Sequence, residues 1–364
     1  METKNKDYFC VILAGGKGRR LWPTSRTDLP KQFIDFFGTG RTLIQQSYDR
    51  FKRFIPEENI YVSTEHEYVS LVKEQLPMLD SEHLLVEPVN RNTAPAVAWA
   101  GRRIHRNGDN SCIVVTPADQ LIIGEEAFER DILEGLDFVS KNQIMLTMGI
   151  KPTRPEPGYG YIQMGEPTLA RGINKVMSFT EKPDREFARL FMESGEFFWN
   201  TGLFLCNVCH LREWFHEVIP DLPFRFSDLE GVYDLANEEE FVLRYYPVYP
   251  NLSMDKAVLE MSESAYVMQC EFGWADIGTW HAIYEAMQKT ETDNVVLNSE
   301  VMMENCHNNI VCLPKGHIGV INGLDGYIIA EKGDVLLICP KSDSSALIRK
   351  YVSEVGIKYG EKYT

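Results

Sequence analysis

From Leu13 to Lys31 the chain reads LAGGKGRRLWPTSRTDLPK, with three glycines (Gly15, Gly16 and Gly18) among five cations (Lys17, Arg19, Arg20, Arg26 and Lys31). Glycine lets a ligand approach backbone that a Cβ would shield, and free N–H groups beside clustered cations are what a polyphosphate requires. The spacing is neither of the two common glycine signatures. It lacks the Lys-Ser/Thr end of G-x-x-x-x-G-K-[ST], and Gly16-Lys17-Gly18 is not followed by the third glycine of a dinucleotide loop. A tight strand-to-loop turn with a solvated basic face is the plain alternative. It does not explain why five cations gather in one loop of a chain with 53 acidic and 37 basic residues and a net charge of -16.

The elements that must hold this loop follow from hydrophobic periodicity. Val11-Ile12-Leu13 is an apolar run of the kind a buried parallel strand needs. Beyond the loop, helical patterns at 42–54, 69–76, 96–104 and 125–139 alternate with strand-like runs at 60–62, 84–86, 112–115 and 144–148. Asn92 or Thr93 caps the third helix, with Pro95 tolerated in its first turn. Such alternation with short connections predicts an α/β fold with a doubly wound, Rossmann-like sheet, whose ligands sit beyond the carboxyl ends of strands. The glycine loop after Leu13 and Asp119 after Val115 both lie at such ends.

From Lys151 the texture changes to prolines and the run Gly158-Tyr159-Gly160-Tyr161, inserted around the second half of the sheet. After about Thr290, short strands at 295–297, 309–311, 318–321, 327–329 and 335–338 are split by glycine, asparagine and aspartate turns, and a last helix spans 345–355. The expected division is a catalytic domain over 1–290 and a small, solenoid-like or β-helix-like β domain over 291–364. The exposed-looking strands of that second part are a candidate homodimer surface.

The acidic balance argues against nonspecific nucleic-acid or anionic-membrane binding, where a basic footprint is expected. No segment has the uninterrupted apolar length of a membrane span, and METKNKDYFC lacks the apolar stretch of a signal peptide. The eight cysteines mostly sit in apolar runs and read as buried, reduced thiols, so a cytoplasmic protein is expected. Cys206-Asn207-Val208-Cys209-His210 matches C-x-x-C-H, the haem-attachment pattern. Haem attachment would need export, and the pair follows the strand-like run 202–205, so coincidence is favoured over haem and over a redox or metal pair.

Ordered motifs across nearly the whole chain carry a resemblance. They are LAGGKGRRLWPTSR (13–26), PKQF (30–33), EPVNRNTAPAVA (87–98), TPADQ (116–120), GIKPTRPEPGYGYI (149–162), FTEKPD (179–184), FWNTGLF (198–204), LSMDKAVLE (252–260) and GWADIGTW (273–280). The sequence resembles bacterial mannose-1-phosphate guanylyltransferases, or GDP-mannose pyrophosphorylases. The glycine loop alone points to sugar nucleotidyltransferases in general; the Trp-Pro after the arginines, RNTAP and EPGYGYI point to the mannose branch. The chain departs from the family pattern at Arg19, where threonine is usual, and at Gln120, where histidine is usual. It ends without the isomerase domain of longer members, so a single activity is expected.

The resemblance implies attack of a sugar 1-phosphate on the α-phosphorus of GTP, with Mg²⁺ as cofactor and GTP and mannose 1-phosphate as small-molecule substrates. Such transfer asks for alignment and charge stabilisation rather than a covalent nucleophile. By the family pattern, Leu13, Gly15, Gly16 and Gly18 cradle the triphosphate, Arg19 is an added phosphate contact or points to solvent, and Arg20 and Lys31 stabilise charge. Arg91, Asn92 and Thr93 are candidates for base or ribose contacts, with helix capping as the rival role. Asp119 and Asp276 are the implied Mg²⁺ ligands, with turn or cap formation as the alternative. Glu181 accepts sugar hydroxyls, Lys182 reaches the sugar phosphate, and Gly160 and Asn200 line the sugar site. An exposed surface ion pair is the alternative for Glu181 and Lys182. Asp255 is a candidate supporting carboxylate. Other hexose 1-phosphates or nucleotides, a catalytically silent subunit of the same fold, and a dinucleotide-dependent oxidoreductase are the competing readings.

Overall fold

The computed structural model describes residues 4–170, 172–219, 237–261 and 264–364. The chain falls into two compact units that do not follow chain order: 1–15, 48–117 and 122–274 in the first, and 16–47, 118–121 and 275–364 in the second.

The first unit is built on a nine-stranded mixed sheet. Its strands are β1 (Tyr8–Leu13), β2 (Ile60–Glu65), β3 (Leu84–Glu87), β4 (Cys112–Pro117), β6 (Met145–Ile150), β7 (Tyr161–Pro167), β8 (Ile173–Thr180), β9 (Phe197–Asn207) and β10 (Ala265–Cys270), in the order β3-β2-β1-β4-β9-β6-β10-β8-β7. β3, β2, β1 and β4 run parallel, as the alternating pattern predicts. β9 then runs antiparallel between β4 and β6. β1 reads YFCVIL and is buried along nearly all its length, as expected of a strand covered on both faces. The helices are α2 (Val69–Gln75), α3 (Thr93–Ile104), α4 (Glu125–Lys141), α5 (Arg185–Ser194), α6 (Val208–Val218) and α7 (Glu238–Tyr245), while α1 (Leu43–Lys52) spans the point where the chain passes between units. Phe9, Val11 and Ile113 of the sheet pack with Val97 of α3 and Leu211 and Trp214 of α6 in one core.

Most of the strands and helices expected from the sequence lie within a few residues of those observed; β9 and one strand of the second unit depart from the expectation. β9 takes in Trp199-Asn200-Thr201, which the sequence places before the strand, because Trp199 pairs with Tyr161 of β7 on one side and Ile150 of β6 on the other. In the second unit an extra strand, β13 (Glu300–Glu304), carries the sequence EVMME; its side chains are exposed or half-exposed, and its short apolar run Val301-Met302-Met303 is bounded by glutamates at both ends.

The second unit holds the glycine loop from Gly16 onward and the C-terminal β part. β12 (Val295–Leu297), β14 (Ile310–Cys312) and β16 (Tyr327–Lys332) stack in parallel, β17 (Val335–Pro340) pairs antiparallel with β16, and β13 lies parallel to β15 (Ile318–Asn322). Parallel strands joined by short turns are a solenoid arrangement. α8 (Trp280–Ala286) and α9 (Ser344–Tyr359) complete it. Leu21, Trp22, Phe36 and Leu43 from the N-terminal stretch share one buried core with Trp280, Ile310, Ile328 and Ile348. Two tryptophan N–H groups tie the segments: Trp280 Nε1 donates to the Trp22 carbonyl at 3.1 Å, and Trp22 Nε1 to that of Tyr363 at 2.7 Å. Short β5 (Gln120–Ile122) and β11 (Trp274–Asp276) pair as a ribbon of their own. Among the described residues no helix is long and apolar enough to cross a membrane.

Candidate active site

In the second unit, cations of the glycine loop meet the two aspartates. Pro30 starts a short 3₁₀ turn over Lys31–Phe33, and Lys31 is buried within it. Its ammonium is ion-paired with Asp119 and lies 3.9 Å from Asp276 Oδ1. Burial alone would favour the neutral amine, but the two carboxylates outweigh it and raise the Lys31 pKa above its ordinary value. Lys31 is thus a fixed positive charge at neutral pH. Asp119 follows β4, and its carbonyl accepts from Ile277 N–H at 3.2 Å, which binds its backbone to the segment just after Asp276.

The glycines have separate tasks. Gly18 has φ +60°, and a Cβ there would strike Ser25 Oγ and lie 3.1 Å from Lys31 Cγ. The Gly16 carbonyl accepts from Gln32 Nε2 at 3.0 Å, tying the loop to the turn that carries Lys31. We expect Gly18→Ala to lose about 1–2 kcal/mol from the left-handed backbone alone, and to lose turnover because it displaces Lys31. Chemical denaturation and steady-state kinetics of the variant check both.

Of the loop's other cations, Arg20 Nη2 and Asp276 Oδ2 each lie 2.9 Å from where a Cβ on Gly278 would stand, so Gly278 makes room for both groups. Arg19 is exposed. Arg26 is turned to the C-terminal strands: its Nε donates to Pro23 O at 3.2 Å and its Nη2 to Lys332 O. Arg26 is an anchor of the fold rather than a ligand-facing charge.

Leu13 and Gly15 belong to the first unit. Leu13 ends β1, half-buried. A Cβ on Gly15 would touch two carboxyl side chains, Glu65 and Glu87, at 3.8 Å. Glu87 accepts from Ser63 Oγ at 2.8 Å and Tyr246 OH at 2.7 Å. Burial pushes its pKa up and the two donors oppose the shift. Glu65 accepts from Asn90 Nδ2 at 2.9 Å. Sequence reasoning passed over both carboxylates. Glu65 ends β2 (IYVSTE) and Glu87 ends β3 (LLVE), and a carboxylate at the ligand-facing end of a parallel strand was the available signal.

Arg91, Asn92 and Thr93 carry structural duties. Asn92, at φ 66°, caps α3 by accepting from Thr93 N–H at 3.0 Å. Thr93 Oγ1 accepts from Met254 N–H at 2.8 Å, and Arg91 Nη2 donates to the Pro247 carbonyl at 2.6 Å.

The sugar-site candidates also gather in the first unit. Asn200, buried in β9, donates from Nδ2 to Asp255 Oδ1 at 2.5 Å and accepts from Thr147 Oγ1 at 3.2 Å; its backbone N–H donates to Gly160 O at 2.9 Å. A Cβ on Gly160 would come 2.7 Å from the Phe179 ring and 3.0 Å from Glu181 Oε2. Lys182, at φ 47°, is ion-paired with Glu181, and both side chains are exposed. Burial raises the Asp255 pKa, Asn200 opposes this and Glu181 adds to it. Asp255 therefore belongs with this group, fixing the Asn200 amide so that its orientation is set.

The donor chemistry at Asp119 and Asp276 fits a hard divalent cation. Both are carboxylates, they converge on one buried positive charge, and oxygen-only donors suit Mg²⁺.

Comparisons with known proteins show the family and the fold. The model of the nucleotidyl transferase family matches residues 9–293. The mannose-1-phosphate guanylyltransferase of Klebsiella pneumoniae is 33% identical over 343 residues, covering 92% of this chain and 71% of that protein. The alginate biosynthesis protein AlgA of Pseudomonas aeruginosa is 34% identical over 343 residues, covering 91% and 69%. A crystal structure described as mannose-1-phosphate geranyltransferase from Thermus thermophilus superposes with a TM-score of 0.83 at 28% identity, covering 96% of this chain and 99% of that one. A chain that shares this fold, these motifs and curated enzymes as relatives belongs to the nucleotidyl transferase family, as an enzyme of the sugar nucleotidyltransferase type.

Proposed function

We propose that the enzyme joins GTP and α-D-mannose 1-phosphate to give GDP-mannose and pyrophosphate. A phosphate oxygen of the sugar 1-phosphate forms a bond to the α-phosphorus, the bond from that phosphorus to the bridging oxygen breaks, and pyrophosphate leaves in line. The observation that carries the reading is the second unit's charge cluster: Lys31 is held by Asp119 and Asp276, next to a glycine loop bearing Arg20. Gly16 and Gly18 offer backbone to the triphosphate. Arg20 and Lys31 stabilise charge on the α-phosphate and the departing pyrophosphate, with donors fixed before reaction. Lys182 binds the sugar phosphate and Glu181 the hydroxyls, while Asp255 holds Asn200 in its orientation for the sugar. Asp119 and Asp276 would hold Mg²⁺, which when bound supplies neutralisation of the triphosphate's charge. Guanine offers N1–H and its exocyclic amine as adjacent donors, and the acceptor carboxylates of Glu65 and Glu87 beside Gly15 support guanine over bases lacking that pair.

The test is pyrophosphate release over a matrix of nucleoside triphosphates and sugar 1-phosphates, with and without Mg²⁺. We expect the highest kcat/KM for GTP with mannose 1-phosphate, and loss of turnover on chelation. Turnover confined to another base or sugar would overturn the substrate assignment, and no turnover in any combination would overturn the reading altogether.

A further inference from the structure

The C-x-x-C-H stretch is parted by the fold. Cys206 is buried in β9, whereas Cys209 stands in the first turn of α6 and is the only one of the eight cysteines that is not buried. Around its sulfur the first unit gathers two further donors from a distant part of the chain. His105 follows the last residue of α3, and Gly108, at φ 125°, turns the backbone so that Asp109 comes back over it. His105 Nε2 lies 3.1 Å from Asp109 Oδ1 and 3.7 Å from Cys209 Sγ, and the donor atoms of all three lie within 4.8 Å of one another.

We propose that His105, Asp109 and Cys209 form a binding site for a thiophilic divalent metal ion, zinc by its donor chemistry. A tetrahedral zinc, with bonds of about 2.3 Å to sulfur and about 2.0 Å to nitrogen or oxygen, sets its donors about 3.3–3.6 Å apart. The two spacings found here bracket that range. Thiolate and imidazole select zinc-like ions over magnesium, which keeps this site chemically distinct from the all-oxygen pair Asp119 and Asp276.

The sheet builds the site. Antiparallel pairing of β4 with β9 in the register Cys112↔Asn207 brings the entry of β4, just after Asp109, against the exit of β9, just before Cys209. Asn207 then bridges the two loops. Its Oδ1 caps α6 by accepting from Cys209 N–H at 2.8 Å, and its Nδ2 donates to the Asp109 carbonyl at 2.9 Å. Outer partners of this kind orient ligands. On binding, the Cys209 S–H bond breaks, its proton goes to solvent and the thiolate bonds the metal. Burial and the neighbouring Asp109 push that thiol's pKa up, so without metal it keeps its proton. Three protein donors leave the fourth position to water, and the ion would join the end of α3 to the start of α6.

The test uses the full chain, stripped with a chelator and titrated with Zn²⁺ and with Co²⁺. Expected are about one equivalent bound, a thiolate-to-cobalt charge-transfer band, a Zn²⁺-dependent rise in the thermal midpoint and protection of Cys209 from alkylation. Cys209→Ser and His105→Ala should each weaken Zn²⁺ binding at least on the order of 10–100-fold, the loss seen when only an outer partner is removed. Circular dichroism and Mg²⁺-dependent turnover should stay unchanged in both. Absence of the charge-transfer band in the parent, or its persistence in Cys209→Ser, overturns the proposal and leaves an imidazole–carboxylate pair beside a thiol.

Discussion

Replacing Arg20 by alanine is expected to lower kcat on the order of 10²-fold or more, the scale for losing one fixed charge donor, while Arg19→Thr leaves kcat and KM unchanged. The two arginines are adjacent in sequence and opposite in setting. Arg19 is exposed, whereas Arg20 reaches toward Asp276 over the bare Cα of Gly278. Steady-state pyrophosphate release separates them. A donor that acts mainly in the transition state lowers kcat and kcat/KM together, whereas uniform binding raises KM alone. Gly278→Ala offers an independent handle, since its Cβ would stand 2.9 Å from the Arg20 guanidinium and force it away. Equal activity of Arg20→Ala and the parent would remove Arg20 from the site.

The second large effect is expected at Lys31. Lys31→Met should reduce turnover on the order of 10²-fold or more and also destabilise the fold, because Asp119 and Asp276 lose the charge that compensates them. Breaking a fully buried pair costs about 3–5 kcal/mol; we expect about 1–3 here, since water reaches part of the cluster. Asp276 has 34% of its side chain exposed, against 18% for Asp119 and 10% for Lys31. The diagnostic outcome is the response to Mg²⁺ without nucleotide. With the ammonium gone, one cation that competes with the divalent ion at these carboxylates is removed, so Mg²⁺ should raise the thermal midpoint more in the variant than in the parent. A variant that melts like the parent and responds to Mg²⁺ like the parent would separate Lys31 from these carboxylates.

What the sequence shows about such a site depends on which forces place each residue. The parallel half of the sheet is legible because β1 and β4 are continuous apolar runs whose burial leaves one solution. The glycine loop is legible because clustered cations and glycines are costly to keep without a use. Asp119 and Asp276 are different: a long stretch of intervening chain hides their partnership with Lys31, and only family motifs joined them before the geometry did. Glu65 and Glu87 were missed because each closes a short strand without a glycine or cation cluster beside it, so its strand-end position went unread. Asn92 shows the converse, since a residue suited to ligand contact spends its side chain on the helix end. In the cluster of His105, Asp109 and Cys209 only the first two share a local i,i+4 spacing; Cys209 joins them through the β4–β9 register.

The shared core of the second unit has a practical consequence for dissecting the protein. The elements after residue 290 do not hang from the catalytic part as a tail; Ile310 and Ile328 of the strands and Ile348 of α9 share a core with Leu21 and Trp22, within the cationic loop, and with Leu43. A deletion ending near 290 would therefore strip hydrophobic support from Arg20 and Lys31 while sparing every side chain in the sugar group around Asn200. Limited proteolysis and heat inactivation should follow the same line. Cleavage or melting of the C-terminal strands should abolish phosphate chemistry early, at a stage when the nine-stranded sheet still gives an intact far-ultraviolet spectrum.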